Sequence, residues 1–108
     1  MATTYKVLGQ SAPSATTNTT LYTVPAATST IVSTLSVCNR GVSTTFRVAV
    51  RPAGAAIANE HYVIYDSYVN AGDTIFLTIG ITLAATDVVT IYAGTANISF
   101  GLFGSEIA

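Results

Sequence analysis

Residues 45–51 read Thr45-Phe46-Arg47-Val48-Ala49-Val50-Arg51, and this stretch decides the fold class. Phe46, Val48 and Val50 occupy every second position, with mostly polar side chains between them. Successive side chains on a β-strand point to opposite faces, so the pattern predicts a strand with one buried face. The following Pro52 cannot donate a ladder hydrogen bond, and it ends the strand.

Similar runs of β-branched and aromatic residues occur along the rest of the chain, at residues 21–24, 30–38, 62–68, 75–79, 88–93 and 97–103. Turn residues separate them, and the last run predicts Ile98, Phe100 and Leu102 as inward-facing. Only residues 53–59 offer a turn of helix. We therefore predict an all-β protein, an antiparallel β-sandwich or jelly-roll-like fold of about seven or eight short strands.

The N-terminal part of the chain looks different from the remainder. Residues 11–20 are of low complexity and lack apolar periodicity, which is typical of a loop or arm. We predict an N-terminal arm or extended segment over residues 1–18 and a single sandwich domain over residues 19–108, since 108 residues suffice for one ordinary domain.

The charge content is the most informative feature of the composition. Hydrophobic residues make up 50% of the chain and charged residues only 8%, with a formal net charge of −1; soluble domains usually carry about 25% charged residues. An uncharged surface repels its neighbours weakly and costs little to desolvate. The composition favours a protein that works in an assembly; a secreted monomer with an adhesive surface is the alternative.

Several partners are not expected. The four basic residues are too few to neutralise a run of phosphates, so nucleic-acid binding is not predicted. No apolar stretch is long enough to span a membrane, and no signal peptide is apparent at the start of the sequence. These features predict synthesis in the cytoplasm.

Candidate catalytic and metal-binding residues are sparse. Cys38 and His61 are the only cysteine and histidine, and Cys38 at the end of an apolar strand is more typical of a buried small hydrophobe than of a nucleophile. The carboxylates are scattered and turn-associated. We predict no enzyme activity, no cofactor and no metal site. Tyr62, Tyr65 and Tyr68 are spaced by three, which predicts that they spread over both faces of a strand and serve an interface or, alternatively, a sugar-binding surface.

Two parts of the sequence match a recurring pattern. The first is Leu21-Tyr22-Thr23-Val24-Pro25-Ala26-Ala27-Thr28 with the strand ending Val37-Cys38-Asn39-Arg40-Gly41; the second is residues 45–51 with 80–83 and 87–89. Over about residues 5–107 the chain resembles small β-rich virion structural proteins of tailed phages, including cyanophages. That family often has glycine where this chain has Ala27.

The resemblance implies a capsid cement or decoration subunit, located in the virion, that stabilises the particle through many contacts with the major capsid protein. It also implies self-association, for which we expect a homotrimer. A tail or baseplate component and a host-glycan-binding module of a tail remain open alternatives.

The residues predicted to form protein interfaces are two on the arm and five charged positions of the domain: Tyr5, Lys6, Arg40, Arg47, Arg51, Glu60 and Asp66. The arm residues are expected to reach neighbouring subunits, because a disordered arm can become ordered on binding. The five charges either fix the register of the contact or serve solubility.

Overall fold

Nine β-strands account for most of residues 2–108, the part of the chain that the computed structural model describes. The strands are β1 (Thr3–Ser11), β2 (Thr19–Thr23), β3 (Ser29–Asn39), β4 (Thr44–Arg51), β5 (Tyr62–Val69), β6 (Thr74–Leu77), β7 (Ile81–Leu83), β8 (Val88–Ala93) and β9 (Ile98–Ile107). The predicted all-β sandwich is confirmed, and each of the six runs outside residues 45–51 falls on an observed strand.

The strands form two antiparallel sheets. One has the order β1-β9-β3-β6, with β7 also paired to β3, and the other has the order β2-β8-β4-β5. The pairs β1–β9, β2–β8, β3–β6/β7 and β4–β5 are those of one long antiparallel hairpin that has been rolled into two layers. β6 and β7 occupy successive lengths of β3, so the fold has eight strand positions, as a jelly roll does.

The core lies between the two sheets and is built by the alternation visible in the sequence. Phe46 and Val48 are buried, and so are Ile98, Phe100 and Leu102, as predicted. The rings of Phe46 and Phe100 meet edge to face across the layers, with centroids 6.1 Å apart. Each large side chain buried in this way stabilises the fold by about 1.5–3 kcal/mol.

The predicted N-terminal arm or extended segment of residues 1–18 is extended over Thr3–Ser11, but there it is part of the sandwich and not an arm separate from it. Residues Thr3–Ser11 form β1, an edge strand that pairs with β9 along its whole length. No alternation is visible in the sequence of β1, because Leu8 is the one buried side chain of this strand and Thr3 to Val7 are all exposed. Residues 12–18 connect β1 to β2 without forming a strand, and Met1 lies outside the described residues.

The predicted turn of helix at residues 53–59 is only partly present. Two short 3₁₀ turns form at Pro52–Gly54 and Asn59–His61, and the residues between them are not helical. Ala53 has a positive φ of 52°, which interrupts regular helical geometry despite the favourable propensity of alanine.

Candidate functional site: two contrasting sheet faces

The outer face of the five-stranded sheet carries no charged side chain along its strands within residues 2–108. We call it the uncharged face. Its members follow from the pairing register, because partnered residues of neighbouring strands point to the same side. They are Thr3, Tyr5, Val7, Gln10, Ser29, Ile31, Thr34, Ser36, Cys38, Thr74, Phe76, Thr82, Ser99, Gly101, Phe103, Ser105 and Ile107.

Large apolar side chains protrude from the uncharged face. Tyr5 is 85% exposed and Phe76 70% exposed, at opposite edges of the sheet, and Val7 and Ile31 are also exposed. Exposed apolar side chains grouped on one face can mark an interaction site. The face is therefore suited to contact with another macromolecule.

A shallow depression of about 400 Å³ opens on this face, beside the ends of β1 and β3 and the start of β9. Its floor is Gly101, where an added Cβ would lie 2.7 Å from Ser36 Oγ and 2.9 Å from the ring of Phe103. Cys38 and Ser99 also line it. The small residues therefore leave a recess in the face. A protruding side chain of a partner can fit into it.

The outer face of the four-stranded sheet is polar and aromatic. Arg47 of β4 lies over the rings of Tyr65 and Tyr92, with its Cζ atom 4.2 Å and 4.4 Å from the two centroids. Its Nε and Nη2 donate to the two carboxylate oxygens of Asp66, at 2.6 Å and 3.3 Å. We call these four residues the arginine–tyrosine cluster. Its stacked, two-point geometry suits arginine and not lysine.

The ion pair perturbs both members of the pair. The hydrogen bonds from Arg47 hold the pKa of the Asp66 carboxyl below its ordinary value, and the same contact raises the pKa of the guanidinium. Both groups stay charged at neutral pH, so the pair carries no net charge that would attract an ionic partner.

The prediction that Tyr62, Tyr65 and Tyr68 spread over both faces is wrong. β5 contains two register shifts against β4, and Asp66 has a positive φ of 50° at one of them. Such bulges insert extra residues and re-aim the side chains that follow. Tyr62 and Tyr65 therefore meet edge to face, with centroids 4.9 Å apart, and Tyr68 lies opposite Thr45 on the same outer face.

The predicted interface residues lie in separate places, except that Arg47 pairs with Asp66. Arg40 donates to Ser99 Oγ and to the Ala96 carbonyl at the rim of the uncharged face. Arg51 donates to Thr90 Oγ1 and to the carbonyls of Gly54 and Ala55. Both guanidinium groups therefore donate hydrogen bonds within their own chain, and both stabilise the structure locally.

The two remaining groups of predicted interface residues differ from each other. Tyr5 and Lys6 lie on β1, and Lys6 Nζ is 3.3 Å from Glu106 Oε1 of the neighbouring strand. Glu60 is exposed in the second 3₁₀ turn and has no ion pair among residues 2–108.

A buried polar network was not found from the sequence. The Tyr22 hydroxyl donates to Glu106 Oε2 at 2.5 Å and lies 2.8 Å from Thr30 Oγ1. Burial and the nearby carboxylate raise the pKa of Tyr22 to about 12, and the hydrogen bond from Tyr22 lowers the pKa of Glu106. Glu106 is 84 residues from Tyr22 in the sequence, so only the rolled pairing of β2, β3 and β9 reveals the network.

Cys38 lies on β3, whereas His61 lies in the second 3₁₀ turn, directly before β5 of the other sheet. Cys38 is half-buried and points to the uncharged face, not into the core as predicted. His61 accepts a hydrogen bond on Nδ1 from the backbone N–H of Ala58. Within the described part of the chain, no three His, Cys, Asp or Glu side chains are grouped so that they could hold a metal ion.

No helix among residues 2–108 has the length and apolar character needed to cross a membrane. Comparison of the chain with protein-family models, with curated proteins and with solved structures finds no match.

Proposed function

We propose that the protein is a structural subunit of a virus particle, a capsid cement or decoration protein that binds the major capsid protein through its uncharged face. The observation that carries this proposal is the combination of exposed Tyr5, Val7, Ile31 and Phe76 with the lack of charged side chains on that face. The family resemblance of the sequence supports the choice of a virion as the assembly.

The mechanism is the sum of many neutral contacts. Hydroxyl and amide groups cost far less to remove from water than ions do, so this face can be buried without charge partners on the capsid. The chain measures 44 × 27 × 19 Å, and its broad side exceeds the ~800 Å² per partner of a standard interface. Repetition over a particle then adds the effect of multivalency.

A matched pair of substitutions tests the face. Phe76→Asp places a charge on the uncharged face, and Tyr68→Asp places one on the outer face of the other sheet, where Tyr68 is 61% exposed. We expect Phe76→Asp to abolish binding of the purified chain to particles that lack it and Tyr68→Asp to bind as the unaltered chain does. Equal binding of the two variants would refute the proposed docking face.

The copy number of the chain in purified virions distinguishes a capsid position from a tail position. A capsid subunit is present in proportion to the capsid lattice, whereas a tail or baseplate component follows the symmetry of the tail. Gel densitometry against the major capsid protein measures this ratio. We expect the capsid ratio, and a ratio set by the tail would exclude the cement function.

A second candidate function rests on the opposite face. Tyr62, Tyr65 and Asn59 line an open depression of about 390 Å³, next to the arginine–tyrosine cluster. Exposed aromatic rings beside amide groups can stack on sugars, which favours the glycan-binding alternative for this face. Binding of the isolated chain to a glycan array, lost in Tyr65→Ala and retained in Phe76→Ala, would support it.

A further inference from the structure

We propose that β1 pairs with β1 of a second copy of this chain, antiparallel and centred on Tyr5, so that the two five-stranded sheets become one continuous sheet. The pairing would extend the uncharged face across both copies. The pairing uses the open backbone edge of β1 and does not depend on what the uncharged face binds.

The first observation is that β1 has an open hydrogen-bonding edge. The backbone N–H groups of Ala2 and Ala108 each donate to the carbonyl of the other, at 2.7 Å and 2.9 Å. Hydrogen-bonded pairs alternate along an antiparallel ladder, so Thr4 and Lys6 also face β9. The N–H and C=O groups of Thr3, Tyr5 and Val7 therefore point away from the sheet, along a segment whose side chains are all exposed.

The second observation is that the other sheet edges are protected. β2 is short, contains a register shift and is followed closely by Pro25. β5 contains two shifts and the positive-φ residue Asp66. β6 and β7 are separate short strands with Gly80, of φ 57°, between them. Short, bulged and interrupted edges are how proteins prevent edge pairing.

β1 lacks these protections over its first half. It is nine residues long, contains no proline, and has its one register shift between Val7 and Gly9. Lys6 is its only charged residue, and Lys6 is already paired with Glu106. An edge with free backbone groups, β-prone residues and a neutralised charge is a template for another strand.

The free groups of β1 fit a second copy of the chain as the partner. Thr3, Tyr5 and Val7 are symmetric about Tyr5, so a two-fold axis at Tyr5 pairs Tyr5 with Tyr5 and Thr3 with Val7. All three outward positions then form hydrogen-bonded pairs, and Lys6 lies opposite Thr4. An axis at Lys6 would place two like charges opposite each other, and an axis at Val7 would run the partner into the register shift.

This arrangement differs from the homotrimer expected from the family resemblance. A two-fold contact uses the same strand on both copies and closes at a dimer, whereas a three-fold ring needs two different contact surfaces. Light scattering of the purified full chain, over a concentration series, should give a concentration-dependent dimer. A trimer, or a monomer at every concentration, would overturn the inference.

Cross-linking tests the register in a Cys38→Ser background. Paired Tyr5 residues would have Cα atoms ~5.5 Å apart, within disulfide range, so Tyr5→Cys should form a disulfide-linked dimer. The two Val7 residues would be four positions apart along the ladder, about 13 Å, so Val7→Cys should not. Equal cross-linking of both variants, or of Val7→Cys alone, would overturn the register.

Proline substitutions test the backbone contact. Tyr5→Pro removes an outward N–H to which no strand within residues 2–108 pairs, and we expect it to weaken the dimer at least tenfold while the chain remains folded. Thr4→Pro removes an N–H that faces β9, and we expect it to destabilise the fold instead. If Tyr5→Pro does not fold, the cross-linking pair decides.

Particle binding separates this inference from the proposed function. A chain that remains monomeric yet binds particles through Phe76 would overturn the β1 pairing and leave the function standing. A chain that dimerises through Tyr5 and does not bind particles would overturn the proposed function and leave the β1 pairing standing.

Discussion

The Tyr22 hydroxyl donates a hydrogen bond of 2.5 Å to Glu106, joining β2 of one sheet to β9 of the other. Thr30 lies 2.8 Å from the same hydroxyl, and Lys6 is 3.3 Å from the second carboxylate oxygen. Most of the other buried side chains are apolar, and this network is a directional link between the two layers. It fixes the position of one sheet relative to the other where β2 lies over β9.

We expect Tyr22→Phe to lower the free energy of unfolding by about 2 kcal/mol. Hydrogen bonds to charged groups contribute about 1.5–3 kcal/mol each, and the change leaves Glu106 with Lys6 alone. Chemical denaturation measures the difference. Tyr68→Phe removes an exposed hydroxyl and should be near neutral, and equal losses in the two variants would contradict the role of the network.

The stability of the chain should decline at both extremes of pH. The pKa of Glu106 is lowered from its ordinary 4.5, so its contribution is complete above that pH and is lost as the pH falls through the lower folded value. The pKa of Tyr22 is raised from 10.0 to about 12, so its contribution is complete below pH 10 and is lost as the pH rises towards 12.

Denaturant titrations over a pH series, carried out on Glu106→Gln, separate the acid limb from other carboxylates. The variant should show a shallower decline in acid than the unaltered chain, while Glu60→Gln, a change at an exposed residue, should decline as steeply. The same acid slope in Glu106→Gln and in the unaltered chain would show that Glu106 does not carry this dependence.

Asn39→Asp should cost about 2–4 kcal/mol of unfolding free energy. The Asn39 side chain is buried, and its Nδ2 shares its two N–H groups among the carbonyls of Val42, Val69 and Asn70, at 2.8–3.2 Å, while its Oδ1 accepts from the N–H of Gly41. A carboxylate retains the last contact but faces three carbonyl oxygens without a donor. Thermal unfolding compared with the exposed control Asn18→Asp checks this, and similar melting of the two variants would count against it.

Ala27→Gly should stabilise the chain by up to about 1 kcal/mol. Ala27 has a φ of 55°, a conformation that costs an L-residue ~1–2 kcal/mol relative to glycine, partly offset by the greater freedom of glycine in the unfolded chain. The adjacent Ala26 has no positive φ, so Ala26→Gly should destabilise instead. Denaturation midpoints of the two variants should move in opposite directions; a shift in the same direction would refute the explanation.

The parts of the fold that the sequence predicted are those with regular alternation. Phe46, Val48 and Val50 identify β4, and Ile98, Phe100 and Leu102 identify β9, because each strand has one face in the core. β1 was not predicted, because it is an edge strand and the side chains of its first half are exposed on both faces. Its Thr4 and Lys6 sit where an apolar pattern would place buried residues.

The features of the two faces were beyond sequence reasoning for a different reason. Bulges in β5 reverse the direction of later side chains, so Tyr65 and Tyr68 share a face that strict alternation forbids. The pairing of Arg47 with Asp66 joins residues on neighbouring strands, and it depends on a register that the sequence alone does not specify. The low content of charged residues was visible in the composition. The lack of charged side chains on one face of one sheet was not.

The central claim is that the chain contacts its particle through the uncharged face, and hydroxyl-radical footprinting of free and particle-bound chain tests it most directly. Phe76 on that face is 70% exposed, and Tyr65 on the opposite sheet is 58% exposed. The account predicts that binding protects Phe76 from oxidation and leaves Tyr65 as reactive as in the free chain. Protection of Tyr65 with Phe76 unchanged would contradict it.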